Sequence, residues 1–158
     1  MGIFVSAREL VDIALGIENN GAAFYEALYE TASEERMKGV YRYLADNERE
    51  HAAVFRTILS SGEDQSLGDT FDDDYDRYLK SLVDSSVFRN EVAARDAARQ
   101  AATDREALDL GIAAEKESIL FYTEIGGLVR RADADVLGQI VREERAHLRQ
   151  LLELKEGL

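Results

Sequence analysis

Four stretches of this 158-residue chain carry apolar or small residues at alternating steps of three and four. This spacing is typical of the buried face of a helix. In each stretch a Glu, or a Glu and a His, interrupts the apolar series near its middle. The series are Val11, Ala14, Glu18, Gly21, Tyr25, Leu28; Tyr41, Leu44, Glu48, His51, Phe55, Ile58; Leu108, Gly111, Glu115, Ser118, Tyr122, Ile125; and Leu137, Ile140, Glu144, His147, Leu151, Leu154. Because the interruptions fall at matching heights, they would meet in one layer of a four-helix bundle.

The chain contains no proline, so nothing in its composition breaks a long helix. Helix starts are indicated where a Ser or Thr is followed three residues later by Glu, because the two side chains can each pair with a free backbone N–H. The pairs are Ser6 with Glu9, Thr31 with Glu34 and Thr103 with Glu106, and Asp133 is a further capping residue. The predicted helices run from Ser6 to about Thr31, from Thr31 to near Ser60 ahead of Gly62, from Thr103 to about Arg130, and from Asp133 to Lys155.

The two halves of the chain repeat. The first and third predicted helices each place a Glu ahead of a Phe-Tyr pair by the same spacing, and the second and fourth each contain Glu-x-x-His. Short links within each half imply two antiparallel helical hairpins. We therefore predict an all-α fold in a single domain over residues 1–158, with a duplicated helical hairpin forming a four-helix bundle.

A long crossover separates predicted helices 2 and 3. Residues 61–102 begin polar and acidic, and they regain a helical pattern from Tyr75 to Phe88. A bundle with one long connection requires such a segment. We expect it to carry one or two short helices.

The polar residues that interrupt the four series would be costly in a bundle interior. Burying a charge costs several kcal/mol, whereas a whole domain is stable by only about 5–15 kcal/mol. Two divalent cations would neutralise four glutamates, and residues three apart lie on one helix face. Carboxylate and imidazole ligands suit iron or manganese, with zinc as an alternative. We predict a two-metal site made by Glu18, Glu48, His51, Glu115, Glu144 and His147.

The alternative for a buried histidine is a core side chain with a satisfied hydrogen bond, which is the commoner case for a lone histidine. Here the chain has only two histidines, and both follow a Glu by three residues. The matched glutamates on the first and third predicted helices add to this pattern. We therefore favour the metal site.

Four further side chains are candidates for supporting roles. Asn47 and Glu143 each precede a predicted ligand glutamate and could orient the outer nitrogen of a histidine, with a solvated position as the alternative. Tyr25 and Tyr122 lie two turns beyond the glutamates of their own helices. They could hydrogen-bond a ligand or donate an electron, and the alternative is an ordinary core tyrosine that needs only a hydroxyl partner.

Composition excludes several other classes of protein. The chain has no cysteine, which excludes thiolate zinc sites and thiolate-held iron–sulfur clusters. Its formal net charge of −13 argues against nucleic acid as a partner. No apolar run approaches the roughly 20 residues that cross a bilayer, so we expect no membrane partner. No basic-then-apolar leader precedes the first predicted helix, so we expect a cytoplasmic protein.

Three stretches of the chain are similar to a known group of proteins. They are GIAAEKESILFY at 111–122, NEREH at 47–51, and the link that begins YLKSLV at 78–83 and ends at Phe88. Through them the chain resembles the ferritin-like superfamily, and most of all its rubrerythrin-type di-iron proteins. The resemblance covers nearly the whole chain and implies a ferritin-like four-helix bundle.

The resemblance also implies a site and an activity. The site would hold two iron ions per chain on the six predicted ligands, with Glu48 and Glu144 bridging and Glu18 and Glu115 terminal. The activity would be that of a non-haem di-iron oxidoreductase in which ferrous iron reacts with dioxygen or hydrogen peroxide, as in a ferroxidase or peroxidase. No catalytic residue separate from the metal ligands is expected. A homo-oligomer, with a dimer favoured, and an external electron donor are expected as partners.

The chain departs from this group at three points. It has no four-cysteine rubredoxin domain, and Ser118 stands where a full rubrerythrin has an extra glutamate. Arg49 stands where a bacterioferritin has its haem-binding methionine, so we expect no haem. The first two departures favour an external electron donor if the chain is a peroxidase. Iron storage, and a metal-binding module without redox turnover, remain the alternative functions.

Overall fold

The computed structural model describes residues 3–4, 6–61, 67 and 72–158. Within them it contains six helices, which confirms the all-α prediction. They are α1 (Ala7–Thr31), α2 (Glu35–Ser60), α3 (Asp73–Asp84), α4 (Glu91–Gln100), α5 (Asp104–Gly126) and α6 (Arg131–Glu156). Helix α1 packs along α2 and α5 along α6, so the chain forms two hairpins as predicted.

Two of the predicted helix starts are confirmed. The Ser6 hydroxyl accepts a hydrogen bond from the Glu9 N–H, and the Glu9 carboxylate accepts one from the Ser6 N–H, each at 3.4 Å. The Thr103 hydroxyl accepts from the Glu106 N–H at 3.1 Å. These bonds satisfy N–H groups that the first turn of a helix leaves unpaired. Helix α5 ends at Gly126, earlier than the predicted Arg130.

The other two helix starts were wrong. Thr31 is the last residue of α1, where its hydroxyl donates to the Ala27 carbonyl at 3.1 Å, so it cannot cap α2, which begins at Glu35. Helix α6 begins at Arg131. Asp133 lies in its first turn and binds the Arg130 guanidinium at 3.0 Å instead of capping the helix. In both cases the side chain bonds to a group other than the N–H groups at the start of the predicted helix.

The crossover carries two short helices within the described residues, α3 and α4. Asp72 caps α3 and Asn90 caps α4, each side chain accepting a backbone N–H at 2.8 Å. Helix α4 packs against α1, and α3 against α5, so the crossover covers the outside of the bundle. The predicted helical pattern over 75–88 is right only as far as Asp84. Gly62, expected as a cap for α2, lies outside the described residues.

The bundle core is divided into two apolar clusters. One contains Phe24, Tyr41, Leu44, Leu108 and Leu151 among others. The other contains Leu10, Phe55, Leu79, Ile125 and Leu137 among others. Along every long helix the interrupting Glu or His lies between the residues of these two clusters. A polar layer is therefore closed above and below by dry packing.

In the described part of the chain, no helix has the length and apolar character needed to cross a membrane.

Candidate metal centre

The six predicted ligand side chains meet in the polar layer at the middle of the bundle. Each of the four long helices supplies one glutamate, and α2 and α6 each add a histidine one turn later. All six are buried, with at most 5% of any of them exposed: Glu18, Glu48, His51, Glu115, Glu144 and His147. So many ionisable groups in a dry interior are rare unless they are paired or bind an ion.

These side chains form two groups of four. In each group the four ligand atoms lie within 4.8 Å of one another. One group is Glu18, Glu48, His51 and Glu144, and the other is Glu48, Glu115, Glu144 and His147. Glu48 and Glu144 belong to both groups, so they lie between the two places where an ion would fit.

Both histidines turn Nδ1 toward the carboxylates. His51 Nδ1 lies 3.1 Å from Glu144 Oε1 and 3.5 Å from Glu18 Oε2. His147 Nδ1 lies 3.0 Å from Glu144 Oε2 and 3.9 Å from Glu115 Oε2. The two rings are stacked with their centroids 5.7 Å apart. A neutral imidazole with its proton on Nε2 would therefore offer the Nδ1 lone pair to an ion at each place.

The two candidate tyrosines connect the hairpins. Tyr25 donates to Glu115 Oε1 at 2.5 Å, and Tyr122 donates to Glu18 Oε1 at 2.6 Å. The other oxygen of each carboxylate, Oε2, is buried with no hydrogen-bond partner among the described residues. Each tyrosine thus fixes one oxygen of a glutamate on the opposite hairpin and leaves its second oxygen facing a histidine.

The two residues that precede the shared glutamates behave differently. Glu143 Oε2 lies 2.7 Å from His51 Nε2, so Glu143 takes the predicted position beside a histidine. Asn47 instead donates to the backbone carbonyl of Tyr43 at 2.9 Å. His147 Nε2 is buried and has no hydrogen-bond partner in the described part of the chain.

A small cavity of about 30 Å³ lies against one side of the cluster. Its lining is Ile17, Asn20, Gly21, Tyr25, Glu48, Ser86, Phe88, Ala114, Glu115, Glu117 and Ser118. Gly21 lets α1 approach Glu48 closely at this cavity, because a Cβ there would lie 3.3 Å from Glu48 Cδ. The volume suits a molecule about the size of water. A wider surface groove shares Ile17, Asn20, Ser86 and Phe88 with it.

The rubrerythrin family model matches residues 9–155, which include all six buried glutamates and histidines. The chain belongs to the rubrerythrin family. A crystal structure described as a ferritin-like diiron-carboxylate protein from Thermotoga maritima superposes with a TM-score of 0.70 and 29% sequence identity. The match covers 96% of this chain and 95% of that one. No curated protein matches the chain in sequence.

Without an ion, several of the six ligand side chains keep their protons at a higher pH than they would in water. Burial, with the neighbouring Glu144 charge, raises the pKa of Glu18, Glu48 and Glu115. Burial also opposes ionisation of Glu144, but hydrogen bonds from His147 and His51 outweigh it and hold the pKa of Glu144 below its usual range.

The pKa of His51 follows from the same contacts. Burial alone would lower it, but the nearby Glu144 and Glu18 carboxylates stabilise the charged ring and raise the pKa of His51 to about 11. An ion bound between these groups would take the place of the protons.

Some residues around the buried cluster were not predicted from the sequence. Gln139 donates to Glu143 Oε1 at 3.2 Å and steadies it. Gln139 lies four residues before Glu143 and therefore on the same helix face, so the sequence could have predicted this contact. Phe88 and Ser86 reach the cavity from the crossover, and the helical periodicity of the bundle carries no information about them.

Proposed function

We propose that this chain is a non-haem di-iron carboxylate oxidoreductase, in which ferrous iron reacts with dioxygen or hydrogen peroxide. The observation that carries the proposal is the pair of four-atom ligand groups that share Glu48 and Glu144. Membership of the rubrerythrin family, and the likeness to a protein described as a diiron-carboxylate protein, support iron as the metal.

The donor set fits two divalent cations. Four carboxylates carry −4 when ionised, and two divalent ions carry +4, so the buried cluster becomes neutral. Glu18 Oε2 and Glu115 Oε2 have no hydrogen-bond partner among the described residues, which is costly for buried carboxylate oxygens unless an ion binds them. Oxygen and imidazole donors suit iron and manganese, and zinc could substitute.

We assign one terminal glutamate and one histidine to each metal. Glu18 and His51 would hold the first ion, and Glu115 and His147 the second. Glu48 and Glu144 would bridge the two, because each carboxylate belongs to both groups of ligand atoms.

Iron, when bound, would supply the electrons for reducing dioxygen or hydrogen peroxide. The protein would supply geometry and a dry environment. Tyr25 and Tyr122 hold the terminal carboxylates in place, and the two apolar clusters exclude bulk water from the layer. The cavity beside Glu48 and Glu115 would open one side of the ligand cluster to small molecules. No acid–base residue apart from the ligands is required.

Two partners complete the proposal. Turnover as a peroxidase needs an external electron donor, because the chain has no cysteine with which to hold a thiolate-bound electron-transfer centre of its own. We also propose that the protein is a homo-oligomer, with a dimer favoured over a storage shell.

Anaerobic loading with Fe²⁺ followed by rapid mixing tests the proposal. We expect two irons per chain, and oxidation by dioxygen or hydrogen peroxide that is much faster than that of free Fe²⁺ in the same buffer. Size-exclusion chromatography of the loaded protein separates a dimer from a shell. Iron uptake far beyond two per chain would favour storage, and failure to bind iron would refute the proposal.

A further inference from the structure

The two halves of the metal cluster support their histidines differently. His51 Nε2 lies 2.7 Å from Glu143 Oε2, and Glu143 is itself held by Gln139. At the duplicated position, Asn47 takes the place of Glu143 and bonds to the Tyr43 carbonyl. Among the described residues, His51 therefore has an anionic partner at Nε2 and His147 does not.

For His51 this partner selects one tautomer. A proton on Nε2 is stabilised by the Glu143 carboxylate, and this tautomer leaves the Nδ1 lone pair free on the side of Glu18 and Glu144. A carboxylate behind a ligand histidine also makes the ring a better donor and fixes its orientation.

For His147 the matching partner is missing from the described part of the chain. Its Nε2 is buried without a hydrogen bond there, and the Tyr43 ring lies edge-on at 6.0 Å between centroids. The tautomer that frees Nδ1 for a metal places an unpaired N–H in a dry environment, which is unfavourable. Metal binding at His147 must overcome the cost of this unpaired N–H. At His51 the Glu143 carboxylate accepts the corresponding N–H, so this cost does not arise.

We propose that the two metal positions differ in affinity, with the Glu18–His51 position filled first and the Glu115–His147 position second. This inference rests on the proposed di-iron function. Loss of a hydrogen-bonded carboxylate behind a ligand typically weakens metal binding about 10- to 100-fold, so we expect the two dissociation constants to differ by about that factor.

The order of filling has a consequence for the site. The cavity is lined by the shared Glu48 and by Glu115, which belongs only to the group that contains His147. The more weakly held ion is therefore the one beside the cavity, and it is the ion that exchanges first with metal in solution.

Calorimetric titration of the metal-free protein with Fe²⁺ under anaerobic conditions tests the inference. The wild type should show two steps of one ion each, with the first tighter by about 10- to 100-fold. Glu143→Gln keeps the shape of the side chain but removes its charge, and it should weaken the tight step alone. Asn47→Glu should tighten the weak step. His51→Ala should retain one step, at the affinity of the weak one.

A matched control uses the same chemical change elsewhere on α6. Glu153 binds the exposed Arg149 and touches neither histidine, so Glu153→Gln should alter neither step. A second readout is ¹⁵N NMR of the histidine rings in the Zn²⁺-loaded protein. Glu143→Gln should shift the His51 ring nitrogens and leave those of His147 unchanged.

Several outcomes would overturn the inference. Two equally tight irons, or equal weakening of both steps by Glu143→Gln, would refute unequal affinity while leaving the proposed function intact. Binding of no iron would refute the proposed function and this inference together.

Discussion

At the scale of the residue, each histidine belongs to only one group of ligand atoms, so replacing either one should affect only one metal position. His51→Ala should abolish tight binding at one metal position, and His147→Ala at the other. Each variant should retain about one iron per chain and lose fast oxidation.

Glu48→Gln or Glu144→Gln should weaken both positions, since a shared ligand is lost. Iron analysis after gel filtration measures this, and two tight irons in either histidine variant would make that histidine a core residue.

The tyrosines allow a second prediction at the same scale. Tyr122→Phe should weaken iron binding beside Glu18, and Tyr25→Phe should weaken it beside Glu115, each by about 10- to 100-fold because the carboxylate loses its orienting hydrogen bond. Calorimetry measures both constants. Tyr41→Phe is the control: its hydroxyl has no hydrogen-bond partner among the described residues, so binding should not change. Equal effects of all three variants would contradict the assigned roles.

The sequence predicted which residues would gather in the layer, because helical spacing fixes the height of each side chain. It did not predict that Tyr25 on α1 bonds to Glu115 on α5, since that contact depends on the rotation of the two helices. The difference between Asn47 and Glu143 was also open. A carboxylate binds an imidazole N–H more strongly than a neutral amide oxygen does, and the Asn47 amide instead donates to a backbone carbonyl on its own helix.

At the scale of the element, two glycines on α1 separate the effect of helix propensity on stability from the effect of contact with Glu48. Gly16 has open space where a Cβ would be, so Gly16→Ala should stabilise the protein by about 0.5–1 kcal/mol. Gly21→Ala places a methyl group 3.3 Å from Glu48 Cδ, so Glu48 must shift. We expect little or no gain in stability and weaker iron binding.

Urea unfolding of the two metal-free variants, with calorimetry of iron binding, checks this prediction. Gly16→Ala serves as the matched control, because it makes the same substitution on the same helix. If Gly21→Ala gains as much stability as Gly16→Ala and binds iron normally, Gly21 has no role in shaping the site.

Element boundaries show where sequence reasoning succeeds and fails. The capping residues at Ser6 and Thr103 were predicted because their partners lie within one helical turn. Thr31 and Asp133 match the same rules, but Thr31 continues α1 and Asp133 binds Arg130. Each of these side chains has more than one possible partner nearby, and the capping rules alone do not decide between them.

At the scale of the whole molecule, the buried cluster makes the stability of the metal-free protein depend on pH. Glu18, Glu48 and Glu115 have raised pKa values, so their stabilising contribution is complete below about pH 4.5 and is lost as pH rises. The pKa of His51, about 11, adds a loss between about pH 6.5 and 11. Glu144 has a lowered pKa, so its contribution to stability is already complete above about pH 4.5. It therefore does not offset the loss of stability at higher pH.

The metal-free protein should therefore be more stable at pH 5 than at pH 9. For a domain of this size, each kcal/mol moves Tm by about 2–4 °C. The iron-loaded protein should show the opposite trend, because protons compete with the metal for the same ligands at low pH. Differential scanning calorimetry of both forms under nitrogen measures this, and parallel pH profiles for the two forms would contradict a buried metal site.

If the polar layer holds two irons between the hairpins, anomalous diffraction at the iron edge will locate them. An iron-loaded crystal should show two peaks per chain in the layer, one flanked by Glu18 and His51 and the other by Glu115 and His147. Glu48 should lie between the two peaks. A single peak in the layer, or iron found only at the surface of the bundle, would contradict the proposed two-iron site.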